Sequence, residues 1–168
     1  MKRLLFFLLP LLIVAGCSSK KDSDYKAEGD KQKKAGNVTA SVTAYESLVK
    51  EFPDSKLAPG AMAEIANFYQ ENKVMNVSPR ESLEKSAKLF REVCDKYPKS
   101  PEAPKALFTS AFILANQLGK FTEATETYNL FLQKYPNHEL AKSARLELDM
   151  MGLSPEEIID KKNAKPGA

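Results

Sequence analysis

Three aromatic-proline pairs, Phe52-Pro53, Tyr97-Pro98 and Tyr135-Pro136, bring the chain into register with itself. Eight residues before each proline stands an aromatic: Tyr45, Phe90 and Tyr128. Five before stands a bulky apolar residue (Leu48, Val93, Phe131), and two after stands a candidate helix cap (Ser55, Ser100, His138). Five and eight after come alanines in every copy: Ala58 and Ala61, Ala103 and Ala106, Ala141 and Ala144. Self-similarity of this kind marks a stack of repeated units. It constrains the fold more tightly than composition does.

The offsets carry the physics. Fifteen before each proline are Val38, Leu83 and Phe121, and twelve before are the small residues Ser41, Ser86 and Ala124. Steps of three and four along this series trace one face of an α-helix. Small residues on that face let a neighbouring helix approach closely. After each proline a second stripe runs through Ala58, Ala61 and Ile65, through Ala103, Ala106 and Ser110, and through Ala141, Ala144 and Leu148. The proline ends the first helix, because it disfavours α geometry at the residue before it. Each unit is therefore a helical hairpin whose apolar stripe is buried only by stacking. The expected fold is all-α, a solenoid of about three and a half hairpins over residues 24–160.

The N-terminus reads as an export signal. Residues 1–16 combine a basic start (Lys2, Arg3) with an apolar run over 4–14, too short to cross a bilayer as a mature helix. The run ends in Val14-Ala15-Gly16-Cys17, which resembles the lipobox of bacterial lipoproteins. That resemblance implies cleavage before Cys17 and acylation of it, and more than one acyl chain gives a stable anchor. Ser18 rather than Asp after the cysteine implies outer-membrane delivery by the same family's sorting habit. Two of the 25 basic residues leave with the signal, so the mature chain is nearly neutral against its 22 acidic residues. No general case for nucleic-acid binding remains. With Cys17 acylated, Cys94 is the sole thiol and reads as a packed small residue.

Residues 17–23 are expected to be a short lipidated tether that keeps the folded body near the lipid surface. A lysine-rich helix over 24–35 comes next, with Lys26, Lys31, Lys33 and Lys34. Gly36 and Gly119 each lie seventeen before a proline, where glycine closes a helix in the left-handed conformation. The middle repeat departs from this pattern. It is 45 residues long against 38, carries an extra segment over 70–77, and restarts at the capping box Ser78-Pro79-Arg80-Glu81. Ser154 and Glu157 form another capping box and open a short helix expected to cover the end of the stack. Residues 161–168 are polar and expected to be disordered.

Ala124, Tyr128 and Pro136 resemble the small, aromatic and proline positions of tetratricopeptide repeats. The spacings of 38 and 45 exceed that family's usual 34. The phrases FPDSKLAPGA, YPKSPEAPKA and YPNHELAKSA are similar to the longer repeats of BamD-like (ComL-like) outer-membrane lipoproteins and CpoB-like periplasmic proteins. The resemblance covers about residues 24–151. It implies a right-handed superhelical solenoid and a role as a protein-interaction scaffold.

Catalytic chemistry is nearly absent from the sequence. The single histidine, His138, sits at a helix start without a second histidine to share a metal. Ser55 and Ser100 precede helices and read as caps, with no histidine paired to them in pattern. No phosphate-binding glycine loop appears. The expectation is a non-enzymatic protein that uses no cofactor and no metal, with protein partners in the cell envelope and a membrane attachment through Cys17. The leading role is an outer-membrane scaffold facing the periplasm, in assembly of that membrane. The alternatives are a CpoB-like accessory coordinating envelope and cell-wall machinery, or a purely structural spacer. In tetratricopeptide solenoids the first helices line the concave face, so the expected partner surface comprises Glu64, Phe68, Thr109, Ile113 and Asn116. Phe68 is expected to be its partly exposed anchor.

Overall fold

Each proline pair makes the same connector in the computed structural model, which describes residues 20–164. Phe52, Tyr97 and Tyr135 adopt nearly one conformation (φ −130, −127 and −132°, ψ 60, 55 and 55°), outside the α region that a proline disfavours at the residue before it. Each donates its N–H to the residue four before it, closing the preceding helix. Two successive turns come after, and the next helix starts five residues after the proline. The expected caps therefore sit inside the connector and not at its end. Ser55 and His138 still accept a backbone N–H, from Leu57 at 3.0 Å and Leu140 at 3.2 Å, whereas the Ser100 hydroxyl is buried without a partner.

Eight α-helices result among the described residues, with no strand. They are α1 (Asp22–Lys34), α2 (Val38–Glu51), α3 (Ala58–Gln70), α4 (Pro79–Lys96), α5 (Ala103–Phe112), α6 (Phe121–Lys134), α7 (Ala141–Met150) and α8 (Pro155–Ala164). Neighbours in sequence pack as antiparallel hairpins, α1 on α2, α3 on α4 and α5 on α6, and α2, α4 and α6 each pack against the next helix in the chain. The chain is a helical solenoid of hairpins. Pro59 and Pro104 lie in the first turns of α3 and α5, where the missing N–H breaks no helical bond.

The stripes are buried as the spacing requires. The six stripe alanines are at most 3% exposed, and Ser41, Ser86 and Ala124 are fully buried. The two serines are satisfied across the hairpin: Ser41 Oγ donates to the Gly29 carbonyl at 2.9 Å and Ser86 Oγ to the Ala66 carbonyl at 2.8 Å. Small size permits the approach, and the carbonyl removes the cost of burying a hydroxyl. Cys94 is fully buried, its sulfur 3.5 Å from the Tyr135 hydroxyl and 3.8 Å from Lys134 Nζ. Burial first, and then the bond to Cys94, push the Tyr135 hydroxyl well above its ordinary pKa.

Several boundaries differ from expectation. α1 begins at Asp22, inside the expected tether, because Asp24 caps the Lys21 N–H at 2.9 Å and two acidic residues occupy its first turn. The middle hairpin closes on Asn72, at φ 53°, with the paired bonds Lys73 N–H to Phe68 and Asn72 N–H to Tyr69. Gly36, at φ 77°, makes the same motif after α1. The extra length of this repeat divides between the loop after Asn72 and α4, which has 18 residues where α2 and α6 have 14. Ser78 accepts the Glu81 N–H at 3.3 Å and caps it.

At the far end α5 widens into a π-helical stretch, Ile113–Gln117. Its extra residue rotates the end of the helix, so that Ile113, Leu114, Ala115 and Leu118 are all buried. Gly152, at φ 78°, then turns the chain from α7 into α8. Ser154 and Glu157 cap α8 reciprocally, at 2.7 and 3.2 Å. α8 packs only sparsely on the rest and extends through Ala164, four residues into the expected disordered tail. The expected signal, Cys17 and residues 165–168 lie outside the described residues.

Candidate functional site

α3 and α5 run side by side with α4 behind them, and the gap between them is a cleft of about 390 Å³. Gly60, Ala63, Glu64 and Asn67 form one wall, and Lys105 and Thr109 stand on the other. Phe90 and Ala106 lie at its base, and both are almost fully buried. A second cleft of about 460 Å³ opens on the other side of Glu64 and Asn67, towards Lys33 and the Gly36 turn. Glu64 and Asn67 are thus the ridge between two adjoining clefts. The walls are small or polar, so a peptide backbone can lie close to α3 and find hydrogen-bonding groups.

Glu64 is held in place by Lys33 of α1, whose Nζ lies 2.6 Å from its Oε2. Thr109 donates its hydroxyl to the Lys105 carbonyl of its own helix at 2.9 Å and keeps its lone pairs available. Glu102, beside them, has one carboxylate oxygen buried without a partner. The electrostatic character of the cleft is mixed: Glu64 and Glu102 share it with Lys105, the Asn67 amide and the Thr109 hydroxyl, and Lys33 lines the adjoining cleft.

The structure brings together only part of the expected surface. Glu64 and Thr109 share the first cleft. Phe68 is 5% exposed and Ile113 is fully buried, so neither can anchor a partner. The reason is helical phase. Both lie fifteen after a proline, seven beyond the alanine at position eight, and at about 100° per residue that is within roughly 20° of the buried stripe. Asn116 belongs elsewhere as well. It is exposed on the π-helical stretch and donates to Glu147 of α7 at 3.0 Å, beside a separate apolar cleft with Phe121, Leu146 and Met150.

Asn67, Glu102 and Lys105 are the polar cleft residues that sequence reasoning missed. The positions seven, eleven and fourteen after the proline give Gly60, Glu64 and Asn67 in α3, and seven and eleven give Lys105 and Thr109 in α5. These positions are the face complementary to the stripe, which was the signal available. His138 accepts a backbone bond and stacks edge-on against Phe131 at 5.9 Å between ring centres. Among the described residues no cluster of three His, Cys, Asp or Glu side chains could hold a metal, and no helix is long and apolar enough to cross a membrane.

Comparison with known families agrees with the hairpin fold. A tetratricopeptide repeat model matches residues 29–55 and 105–138, the first and third hairpins. A model of the prokaryotic membrane lipoprotein lipid attachment site matches residues 1–18, a span that includes Cys17. No curated protein matches the chain, so the finer likeness to BamD-like or CpoB-like proteins rests on the repeat phrases alone. The attachment site and the repeats together describe a lipid-anchored protein-interaction module.

Proposed function

We propose that this lipid-anchored stack of tetratricopeptide-type hairpins is a scaffold of the bacterial envelope that holds an extended segment of a partner protein in the clefts flanking Glu64 and Asn67. The carrying observation is the cleft between α3 and α5, whose walls offer Glu64, Asn67, Lys105 and Thr109 over an apolar base. An extended peptide bound there gains backbone and side-chain hydrogen bonds along the ridge, with its specificity set by the charges at the rim. We read the protein as a binding module rather than an enzyme, since the cleft pairs no nucleophile with a base.

Ser18 after the acylated Cys17 favours residence on the outer membrane, facing the periplasm, and a place in the assembly of that membrane. Affinity purification of the acylated protein from native envelopes after mild crosslinking tests the role. Recovery of a β-barrel assembly complex supports it. Recovery of a Tol-type complex moves the protein to the cell-wall accessory role, and recovery of no partner refutes the scaffold. Metabolic labelling with a fatty-acid probe tests the anchor, and Cys17→Ser should abolish the label.

A further inference from the structure

α1 is pinned at its start to the first proline turn. Ser55 Oγ donates to Asp22 Oδ2 at 2.6 Å, the Tyr25 hydroxyl donates to Glu51 Oε2 at 2.7 Å, and the Tyr25 and Phe52 ring centres lie 6.1 Å apart. Successive helices run antiparallel, so the starts of α1, α3, α5 and α7 and the three proline turns share one edge of the solenoid. The Tyr135 hydroxyl ties the third turn to the second by donating to the Pro98 carbonyl at 3.2 Å. The turns at Gly36, Asn72 and Gly119 form the opposite edge, together with Met75, the most exposed large apolar side chain among the described residues.

The two edges differ in how many of their cations are paired. On the edge with the glycine and asparagine turns, Lys33, Lys73, Arg80 and Lys120 have carboxylate partners, within 2.5 to 3.6 Å, and the exposed Lys34 has none among the described residues. On the proline edge Lys96 pairs with Glu92 at 2.8 Å, whereas Lys20, Lys21, Lys56, Lys99 and Lys142 are exposed and have no carboxylate partner among the described residues. The acids there keep their charge: Asp22 and Glu51 accept from the Ser55 and Tyr25 hydroxyls, Asp54 and Glu139 are exposed, and none of the four forms an ion pair among the described residues. Asp22 lies five residues after Cys17, a stretch that spans at most ~18 Å fully extended. A chain acylated at Cys17 therefore starts its fold at this edge, close to the headgroups.

We propose that the proline-turn edge is the face laid against the bilayer, its lysines meeting the phosphate groups of anionic lipids. Lysine suits this position, since its flexible stem lets the ammonium reach a charged surface. The edge carrying Met75 then points away from the membrane. The proposal rests on the acyl anchor at Cys17 but goes beyond it, because a tether alone does not choose which edge faces the lipid.

The test uses the full acylated chain in phosphatidylcholine vesicles, with and without phosphatidylglycerol, carrying a headgroup-labelled quencher lipid. A fluorophore is placed at Lys99→Cys or at Met75→Cys, Cys94 being buried and Cys17 acylated. The expected result is strong quenching at position 99 and little at 75, increased at 99 by phosphatidylglycerol. Adding Lys56→Glu and Lys142→Glu should remove that increase. Equal quenching at both positions, or more at 75, overturns the orientation, and so does a crosslink from position 99 to a protein in cells without quenching by lipid. Quenching at 99 that ignores phosphatidylglycerol and charge reversal overturns the phosphate contact. Fatty-acid labelling separates the two levels: a labelled chain with the wrong edge quenched sinks this proposal alone, and an unlabelled chain sinks the anchor with it.

Discussion

Gly29 packs against the Tyr45 ring, so closely that a side-chain carbon on Gly29 would lie 2.3 Å from its Cε1. The contact fixes how near α1 comes to α2, and it places the Tyr45 hydroxyl 2.7 Å from Asp30 Oδ1. A glycine inside a helix costs about 1 kcal/mol relative to alanine, so its presence here is explained by packing and not by helix formation.

Gly29→Ala should therefore destabilise, by roughly 1–3 kcal/mol, although alanine is the better helix former. Gly60, inside α3, is the internal control. A carbon added there meets only Glu102 Oε1, at an ordinary 3.5 Å. Gly60→Ala should hold or raise the urea midpoint while Gly29→Ala lowers it. Equal shifts in the two variants would show that propensity governs both sites.

Tyr45 and Tyr128 occupy the same repeat position and are both fully buried, but only Tyr45 has a partner for its hydroxyl. The middle repeat carries Phe90 there and dispenses with the hydroxyl. Tyr45→Phe should lose about 1 kcal/mol or somewhat more, since it removes a hydrogen bond to a carboxylate. Tyr128→Phe should be neutral or stabilising, because it removes a buried hydroxyl that nothing satisfies. Chemical denaturation of both variants gives the comparison, and a larger loss at position 128 would contradict it.

Asp30 links this packing to pH. Burial pushes its carboxyl up, but hydrogen bonds from Lys26 at 2.6 Å and from Tyr45 outweigh that and hold it below its ordinary value. A depressed carboxylate contributes stability above the unfolded pKa, near 4, and the contribution is lost as pH falls through the lower folded value. The side chain is 41% exposed, so the contribution is expected to stay below ~1 kcal/mol. Asp30→Asn should lower the urea midpoint at pH 7 and leave it close to that of the parent at pH 2. An undiminished difference at pH 2 would mean that Asp30 acts through packing.

The hairpins were legible because proline turns and buried stripes repeat with a step of three or four, which is the helix writing its own geometry into the sequence. Ser41 and Ser86 declared the close approach, though not the carbonyls of Gly29 and Ala66 that satisfy them. Other features left no periodic trace. The π-helical stretch at Ile113–Gln117 comes from one extra residue that a stack accommodates by burying Leu118, and no residue type announces it. Asn72 takes the left-handed position that glycine holds elsewhere, and the lengthened α4 displaces it from the expected register. Asn116 meets Glu147 across 31 residues, a contact that depends on how α7 stacks.

The cleft supplies the last prediction, in which binding and stability must separate. Phe68 sits in the core of the first two hairpins with Tyr45, Leu48 and Ile65, so Phe68→Ala should cost about 3–5 kcal/mol and lower the melting temperature whether or not a partner is present. Glu64 and Asn67 are half-buried on the ridge between the clefts, and their outward groups support no core packing. Glu64→Lys breaks the ion pair with Lys33 and reverses the charge at the rim, a change of at most ~1 kcal/mol in stability for a pair this exposed. Combined with Asn67→Ala it should leave the helical signal and melting temperature nearly unchanged while reducing recovery of a crosslinked partner at least tenfold. Lys85→Ala is the control, because its ammonium lies 4.3 Å from the centre of the Tyr69 ring, outside both clefts. Full recovery of the partner by the Glu64→Lys, Asn67→Ala protein would remove the cleft from the binding surface and leave the apolar end near Phe121 and Leu146 as the place to look.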